Sequence, residues 1–342
     1  MTNVNCNNTN KAFYPHCIPI VFSSNDYFVP YMSTMIQSIM ATAKKEMRYC
    51  FYILYRDISD KNKELLKCQT ELNENFSVVF VNVAEYFNNN QLYVSNHITI
   101  ESYFRLLIPY LFSEYQKVIY LDGDMICRTD ISELYDVNLD NFLLAAVWDT
   151  DVSRYYYPKD KKYMKSHNNV MINLKNPNEY FNGGLIIFNI PLFRDFISLD
   201  DLLTLAASRK WQVHDQDVLN FLCHGKTLLL PYHWNFIYSS KCNYLPEIFR
   251  AEYLEAQENP KIVHYKPWDN DNYIPFFLNF WIHAVKTPFI DVILDRMKKE
   301  GFISVDSLQQ RMISNITHRK GIGLKFILTE CCKAWLFRDR KN

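Results

Sequence analysis

Two hydrophobic rhythms alternate along the first half of the chain. Unbroken apolar runs at Ile18 to Ser24, Tyr49 to Tyr55 and Phe76 to Val83 have the length of buried strands. Between them the period changes. Val29, Met32, Ile36, Ile39, Met40 and Ala43 recur at helical spacing and predict a helix from Val29 to Ala43. A second helix opens at Ser59-Asp60 and carries Leu65, Leu66 and Leu72. This alternation predicts a parallel α/β sheet, whose ligands gather at the carboxyl ends of the strands. Further on, Thr99 to Phe112 reads as a helix with Thr99 as N-cap, Pro109 limiting its far end and Arg105 as its one cation. Val118 to Leu121, Phe142 to Trp148 and Tyr180 to Ile190 are strand-like, and Ile262-Val263 is a short strand delivering His264. Val213 to Leu222 predicts a helix with Asp215 at its N-cap and Asp215, Gln216 and Asp217 clustered at its positive end. From Thr150 to Tyr180 the periodicity is lost in a Tyr-, Lys- and Asn-rich stretch, suited either to a sugar surface or to a solvated insertion.

Composition narrows the function classes. With 342 residues, 49% of them hydrophobic, the chain can bury a large core. Lys+Arg and Asp+Glu balance at 37 each, so no net field recruits nucleic acid, and no such partner is expected. The nine cysteines show no CxxC pair, which suits a reducing compartment. The Asn-rich N-terminus lacks an apolar signal core, and no apolar run has membrane-spanning length, so a cytoplasmic protein is expected. Segment 311–342 carries eight Lys/Arg against two acids, interleaved with Leu, Ile, Phe and Trp. That pattern predicts peripheral contact with an anionic membrane face; a docked C-terminal helix is the alternative.

The chemistry centres on VIYLDGDMI, Val118 to Ile126. In an extended backbone Asp122 and Asp124 share a face, and two facing carboxylates beside an apolar run call for a divalent cation. Gly123 would let a ligand approach the backbone. An Asp-Gly-Asp turn ending a strand is the plain alternative. Asn182-Gly183-Gly184 precedes a buried strand and offers close backbone approach with an amide beside it. His264 and Lys266 fall on one face if their strand continues, presenting an imidazole to a metal and an ammonium to a phosphate.

IVFSSNDYF, SYFRLLIP, VIYLDGDMI, AAVWD, YFNGGLIIFN, DQDVLN and VHYKPW follow one another from about Ile18 to Trp268. In this order they resemble glycosyltransferase family 8, the retaining sugar transferases that include bacterial lipopolysaccharide galactosyl- and glucosyltransferases. The resemblance implies the GT-A fold, a Rossmann-like mixed sheet flanked by helices, over 18–275, preceded by an extension, 1–17, and followed by a helical, basic region, 276–342. It implies a UDP-sugar donor, a saccharide or lipid-linked glycan acceptor, and Mn²⁺, with Mg²⁺ as the alternative. By position, Asp122, Asp124 and His264 match metal ligands, and Ser23, Asn25 and Tyr27 match residues that bind uridine and ribose. Arg105, Asp149, Asn182 and Asp215 match those around the donor sugar. Gln216 matches the residue beneath the anomeric carbon, Asp217 is the nearest carboxylate for a covalent route, and Lys266 matches a diphosphate contact. The chain departs from the family in two places. Only one residue separates His264 from Lys266, and the nucleotide loop reads Ser-Ser-Asn-Asp where Ala-Ala-Asp-Asp is familiar. Rival readings are a non-catalytic nucleotide-sugar or glycan-binding protein and a sugar-nucleotide nucleotidyltransferase. The latter would carry a Gly-rich basic loop after its first strand, and FSSNDYF has none.

Overall fold

A computed structural model describes residues 17–299 except 88–91, 95–98, 151–171, 173, 175–176, 239–244, 246 and 266–275. The strands are β1 Ile18–Ser23, β2 Tyr49–Tyr55, β3 Phe76–Asn82, β4 Lys117–Leu121, β5 Met125–Cys127, β6 Leu144–Trp148, β7 Phe181–Asn189, β8 Thr227–Leu230, β9 Phe236–Ile237 and β10 Ile262–His264. Seven form one sheet in the order β3-β2-β1-β4-β7-β6-β8, and the other three form a small sheet in the order β5-β10-β9. The parallel expectation holds for β3, β2, β1 and β4. It fails at β7, which runs antiparallel to both β4 and β6. The sheet is therefore mixed, as the GT-A resemblance implied.

Helices cover both faces, so the strands bury alternate residues in two separate cores. Ile18, Ile20 and Phe22 of β1 pack in one, with Met32, Met35, Ile36 and Ile39 of α1 (Val29–Thr42). Val21, Tyr52, Val118 and Tyr120 pack in the other, with Phe104 and Leu107. The second helix, α2 (Asp60–Thr70), is capped by Ser59, whose hydroxyl accepts from Asn62 N–H at 3.3 Å. It buries Leu66, but Leu72 lies past its end and is 85% exposed. The predicted Thr99 to Phe112 helix is wound as a 3₁₀ helix over Ile100–Leu107 and a single α turn over Ile108–Leu111. The Thr99 side chain caps nothing, and Pro109 opens that last turn instead of limiting it, because a missing N–H is tolerated in the first turn of a helix.

After β7 come α3 Ile190–Phe196, α4 Leu199–Ala207, α5 His214–Leu222 and α6 Glu247–Glu258. The last two described are α7 Phe277–Ala284 and α8 Ile290–Lys299. These two form a third core with Tyr31 of α1, Ile126 of β5 and Val263 of β10. No helix among the described residues is long and apolar enough to cross a membrane. The segment 311–342, and with it the expected membrane contact, lies outside the described residues, as does 151–171 in the Tyr-rich stretch.

Candidate active site

The two carboxylates converge through a turn and not through strand alternation. β4 ends at Leu121, Asp122 to Asp124 turn the chain, and β5 starts at Met125. A Cβ on Gly123 would meet Met32 Cβ of α1 at 3.0 Å. The space a side chain would need at this position is taken by the protein's own helix. The antiparallel pairing of β5 with β10 sets Met125 opposite His264, and Tyr265 N–H donates to the Asp124 carbonyl at 2.9 Å. That register carries the imidazole across 140 residues of sequence to the acidic turn. His264 Nε2 lies 3.3 Å from Asp124 Oδ1 and 4.0 Å from Asp122 Oδ2, and one ligand atom from each residue falls within 4.8 Å of the others.

This donor set fits a divalent cation. Two hard carboxylate oxygens and an imidazole nitrogen leave open positions for further oxygens. The ring is turned toward such an ion by its other nitrogen. Nδ1 bonds Asn235 Oδ1 at 2.9 Å as the donor, which leaves Nε2 facing the carboxylates. Burial alone would lower the His264 pKa, but Asp124 and then Asp122 outweigh it and raise it. The imidazole thus sits in a field built for positive charge.

Asn235, 1% exposed, begins a chain of side-chain bonds from the imidazole to the helix α5. Its Nδ2 donates to Asn182 Oδ1 at 2.8 Å, Asn182 Nδ2 donates to Asp149 Oδ2 at 2.9 Å, and Gln216 Nε2 donates to the same Asp149 oxygen at 3.2 Å. Sequence reasoning missed Asn235. The one available signal is a buried-type amide between Trp234 and Phe236, where an apolar residue would suit the run.

Arg105 is the second hub. It is 6% exposed, and its Nε lies 2.8 Å from Asp215 Oδ2 while its Nη2 lies 3.2 Å from Asp122 Oδ1. Nη1 donates to the Gly183 carbonyl, and the guanidinium lies 4.5 Å from the centre of the Tyr120 ring. Burial would lower its pKa, but Asp122 and Asp215 raise it above the ordinary value, so the charge is held. Asp215 is pushed up to about 6 by burial, against the pull of Arg105. It is not the N-cap: Val213 holds that position, and its N–H is taken at 2.9 Å by Asp217 Oδ2. His214, between them, is buried with φ +50°, a left-handed backbone costing a non-glycine residue about 1–3 kcal/mol where the surroundings impose it.

Gly183 and Gly184 sit where β7 slips its register against β6, between the pairs Ala146–Ile186 and Val147–Asn182. Backbone groups freed by such an irregularity need partners. Gly183 N–H goes to Gln216 Oε1 at 2.8 Å and its carbonyl to Arg105, while Gly184 N–H goes to Asn182 Oδ1 at 2.9 Å. Added Cβ atoms would meet Arg105 Nη1 at 2.7 Å and His264 Cε1 at 2.5 Å. Tyr180 OH donates to Asp217 Oδ1 at 2.6 Å and accepts from Gln216 Nε2 at 3.2 Å. Asn220 ties α5 to β7 through both backbone groups of Phe181, at 2.8 and 2.9 Å.

At the end of β1, Ser23 Oγ is buried with no hydrogen-bond partner among the described residues. Asn25 Oδ1 accepts from the N–H groups of Tyr27, at 3.0 Å, and Phe28, at 3.2 Å, which leaves its Nδ2 as the free donor. Tyr27 is 45% exposed. Lys266 lies outside the described residues. The structure thus brings Arg105, Asp122, Asp124, Asp149, Asn182, Asp215, Gln216, Asp217 and His264 into one bonded or charge-paired network.

A Haemophilus influenzae relative is 29% identical over 223 residues, 64% of this chain and 62% of that one. The lipopolysaccharide 1,2-glucosyltransferase of Escherichia coli K12 is 27% identical over 199 residues, 55% of each chain. The chain therefore spans between half and two thirds of these relatives. Among solved structures, the bifunctional glycosyltransferase WbbM superposes with a TM-score of 0.71 at 26% identity, covering 84% of this chain and 52% of that one. The fold is GT-A. The profile of glycosyl transferase family 8 matches residues 19–272, a span that contains every residue of the network just described, and the chain belongs to that family.

Proposed function

We propose that this protein is a retaining glycosyltransferase that moves a hexose, glucose or galactose, from a UDP-sugar to a saccharide acceptor in cell-surface glycan synthesis. The observation that carries the proposal is the Asp122, Asp124 and His264 cluster, bonded through Asn235, Asn182 and Asp149 to Gln216. Family 8 transferases use nucleotide-sugar donors and, like GT-A enzymes generally, a divalent metal, here assigned as Mn²⁺. When bound, such an ion supplies Lewis-acid stabilisation of the departing diphosphate.

The chain's own residues define the rest. Ser23, Asn25 and Tyr27 take the base and ribose, the orphaned Ser23 hydroxyl and the Asn25 amide N–H being groups that a nucleotide can satisfy. Lys266 is assigned to the diphosphate. Asp149, Asn182 and Asp215 surround the donor sugar, and Arg105 holds Asp215 and Asp122 in place through its two charge contacts. Gln216 lies beneath the anomeric carbon. Its amide is fully engaged, accepting from Gly183 and donating to Asp149 and Tyr180, so it presents a fixed, neutral dipole to developing positive charge. Asp217 is 4% exposed, and its two oxygens already accept from Tyr180 and Val213. A covalent route through Asp217 would have to break those bonds, so we favour same-face displacement, in which the leaving phosphate takes the proton of the acceptor hydroxyl.

UDP release from UDP-glucose, UDP-galactose and related donors, with and without Mn²⁺, tests the proposal. Metal-dependent release that Asp124→Asn abolishes is expected. A chain that binds UDP-sugar but turns none over with any acceptor saccharide would instead be a binding protein.

A further inference from the structure

The helix α8 falls outside the residues that match the family profile, 19–272, yet it reaches the nucleotide loop. Ile290, Ile293 and Met297 pack it into the core shared with Tyr31, Ile126 and Val263, against the strands that carry the acidic turn and His264. From the position just before Met297 on the helix, Arg296 Nη1 donates to the Tyr27 carbonyl. Its guanidinium lies 4.2 Å from the centre of the Tyr27 ring and 6.0 Å from that of Tyr31.

The loop that Arg296 grips has two other anchors. Asn25 Oδ1 closes it on itself through the N–H groups of Tyr27 and Phe28. Asp26 Oδ1 ties it to the start of α2, accepting from Ser59 N at 2.8 Å, Ser59 Oγ at 3.1 Å and Asn62 Nδ2 at 2.9 Å. On its other side, the Tyr27 end is held by α8. Arginine suits this position because its planar, permanently charged group stacks on an aromatic face while donating in its own plane.

We propose that Arg296 is a positioning residue of the donor site: from the C-terminal helix it holds the 25–28 loop in the form in which Asn25 and Tyr27 meet the nucleotide. The inference rests on the assignment of that loop to UDP. It makes α8 a working wall of the site and not an appendage beside it.

The test compares wild type, Arg296→Ala and Arg296→Lys by UDP titration calorimetry, steady-state kinetics and thermal unfolding. Losing a charged hydrogen bond and a cation–π contact is expected to weaken UDP binding and raise KM for the UDP-sugar about tenfold. kcat should stay within about twofold, because the contact is the same in ground and transition states. Lysine keeps a donor for the Tyr27 carbonyl and should recover part of the affinity. Arg296→Ala that binds UDP like wild type, whatever its melting temperature, overturns the inference alone. Wild type that binds no UDP overturns the functional proposal and this inference with it.

Discussion

Gly184→Ala separates an organised metal site from a fortuitous cluster. A Cβ at position 184 would lie 2.5 Å from His264 Cε1, 2.9 Å from its Nδ1 and 2.9 Å from Asn182 Oδ1. Ordinary contact begins near 3.4 Å, so the imidazole must retreat by about 0.9 Å. It cannot do so and keep both the 2.9 Å bond to Asn235 and the 3.3 Å approach to Asp124. Overpacking of this kind costs about 1–3 kcal/mol of stability. Loss of a partner that orients a metal-bound histidine costs about 10- to 100-fold in metal affinity, or about 1.4–2.7 kcal/mol. The assay is Mn²⁺ titration followed by the paramagnetic resonance of the free ion, with unfolding curves recorded with and without Mn²⁺. The expected variant is folded, melts a few degrees lower and binds Mn²⁺ at least tenfold more weakly. Wild-type Mn²⁺ affinity in that variant would show that the metal does not depend on the imidazole being where β10 places it.

Three further outcomes follow from the same contacts. Asp124→Asn should keep the unfolding transition of wild type and lose metal-dependent turnover, measured as UDP release; substantial metal-dependent activity would refute the ligand assignment. Asn235→Ala removes the acceptor of the His264 ring and a donor to Asn182, so Mn²⁺ affinity should fall about 10- to 100-fold, with Asn235→Asp less affected because it retains an acceptor. Asp130, which bonds Lys44, Tyr49 and Ser132 and no residue of that network, offers a pH test of the fold. Burial opposes its ionisation, but bonds from Ser132, Tyr49 and the Lys44 N–H win and hold its pKa below the ordinary 3.8. Its stabilisation is therefore fully present above about pH 4 and is lost as pH falls through the lowered pKa of the folded state. The melting-temperature gap between wild type and Asp130→Asn should narrow below pH 4; a constant gap would refute the linkage.

Local pattern was enough for much of the fold. Apolar runs at Ile18 and Tyr49 report strands buried on both faces, the run at Phe76 reports a half-buried edge strand, and the spacing from Val29 to Ala43 reports α1, because burial and dihedral preference act within a few residues. The order of the seven motifs likewise carried the family, and the residue types at 122, 124 and 264 carried the candidate metal chemistry. Where the sequence misled, a distant partner had changed what a residue does. Asp215 looks like a cap but is drawn to Arg105, while Val213 takes the N-cap position and its N–H goes to Asp217. The glycines at 183 and 184 do announce a close approach, though nothing local says that Arg105 and His264 are what approaches.

The sequence by itself determined the strands β1 to β4, β6, β7 and β10 and the helices α1, α2 and α5, and which side chains could hold a cation or a nucleotide. Only the tertiary structure decided that β7 turns antiparallel, that β10 lays His264 beside Asp124, that Asn235 orients it, and that Arg296 grips Tyr27. The division has a physical cause: propensity and amphipathic period are properties of neighbours along the chain. The distance between a carboxylate and an imidazole 140 residues apart is set instead by strand order and register, which emerge only when all the elements compete to bury their apolar faces together.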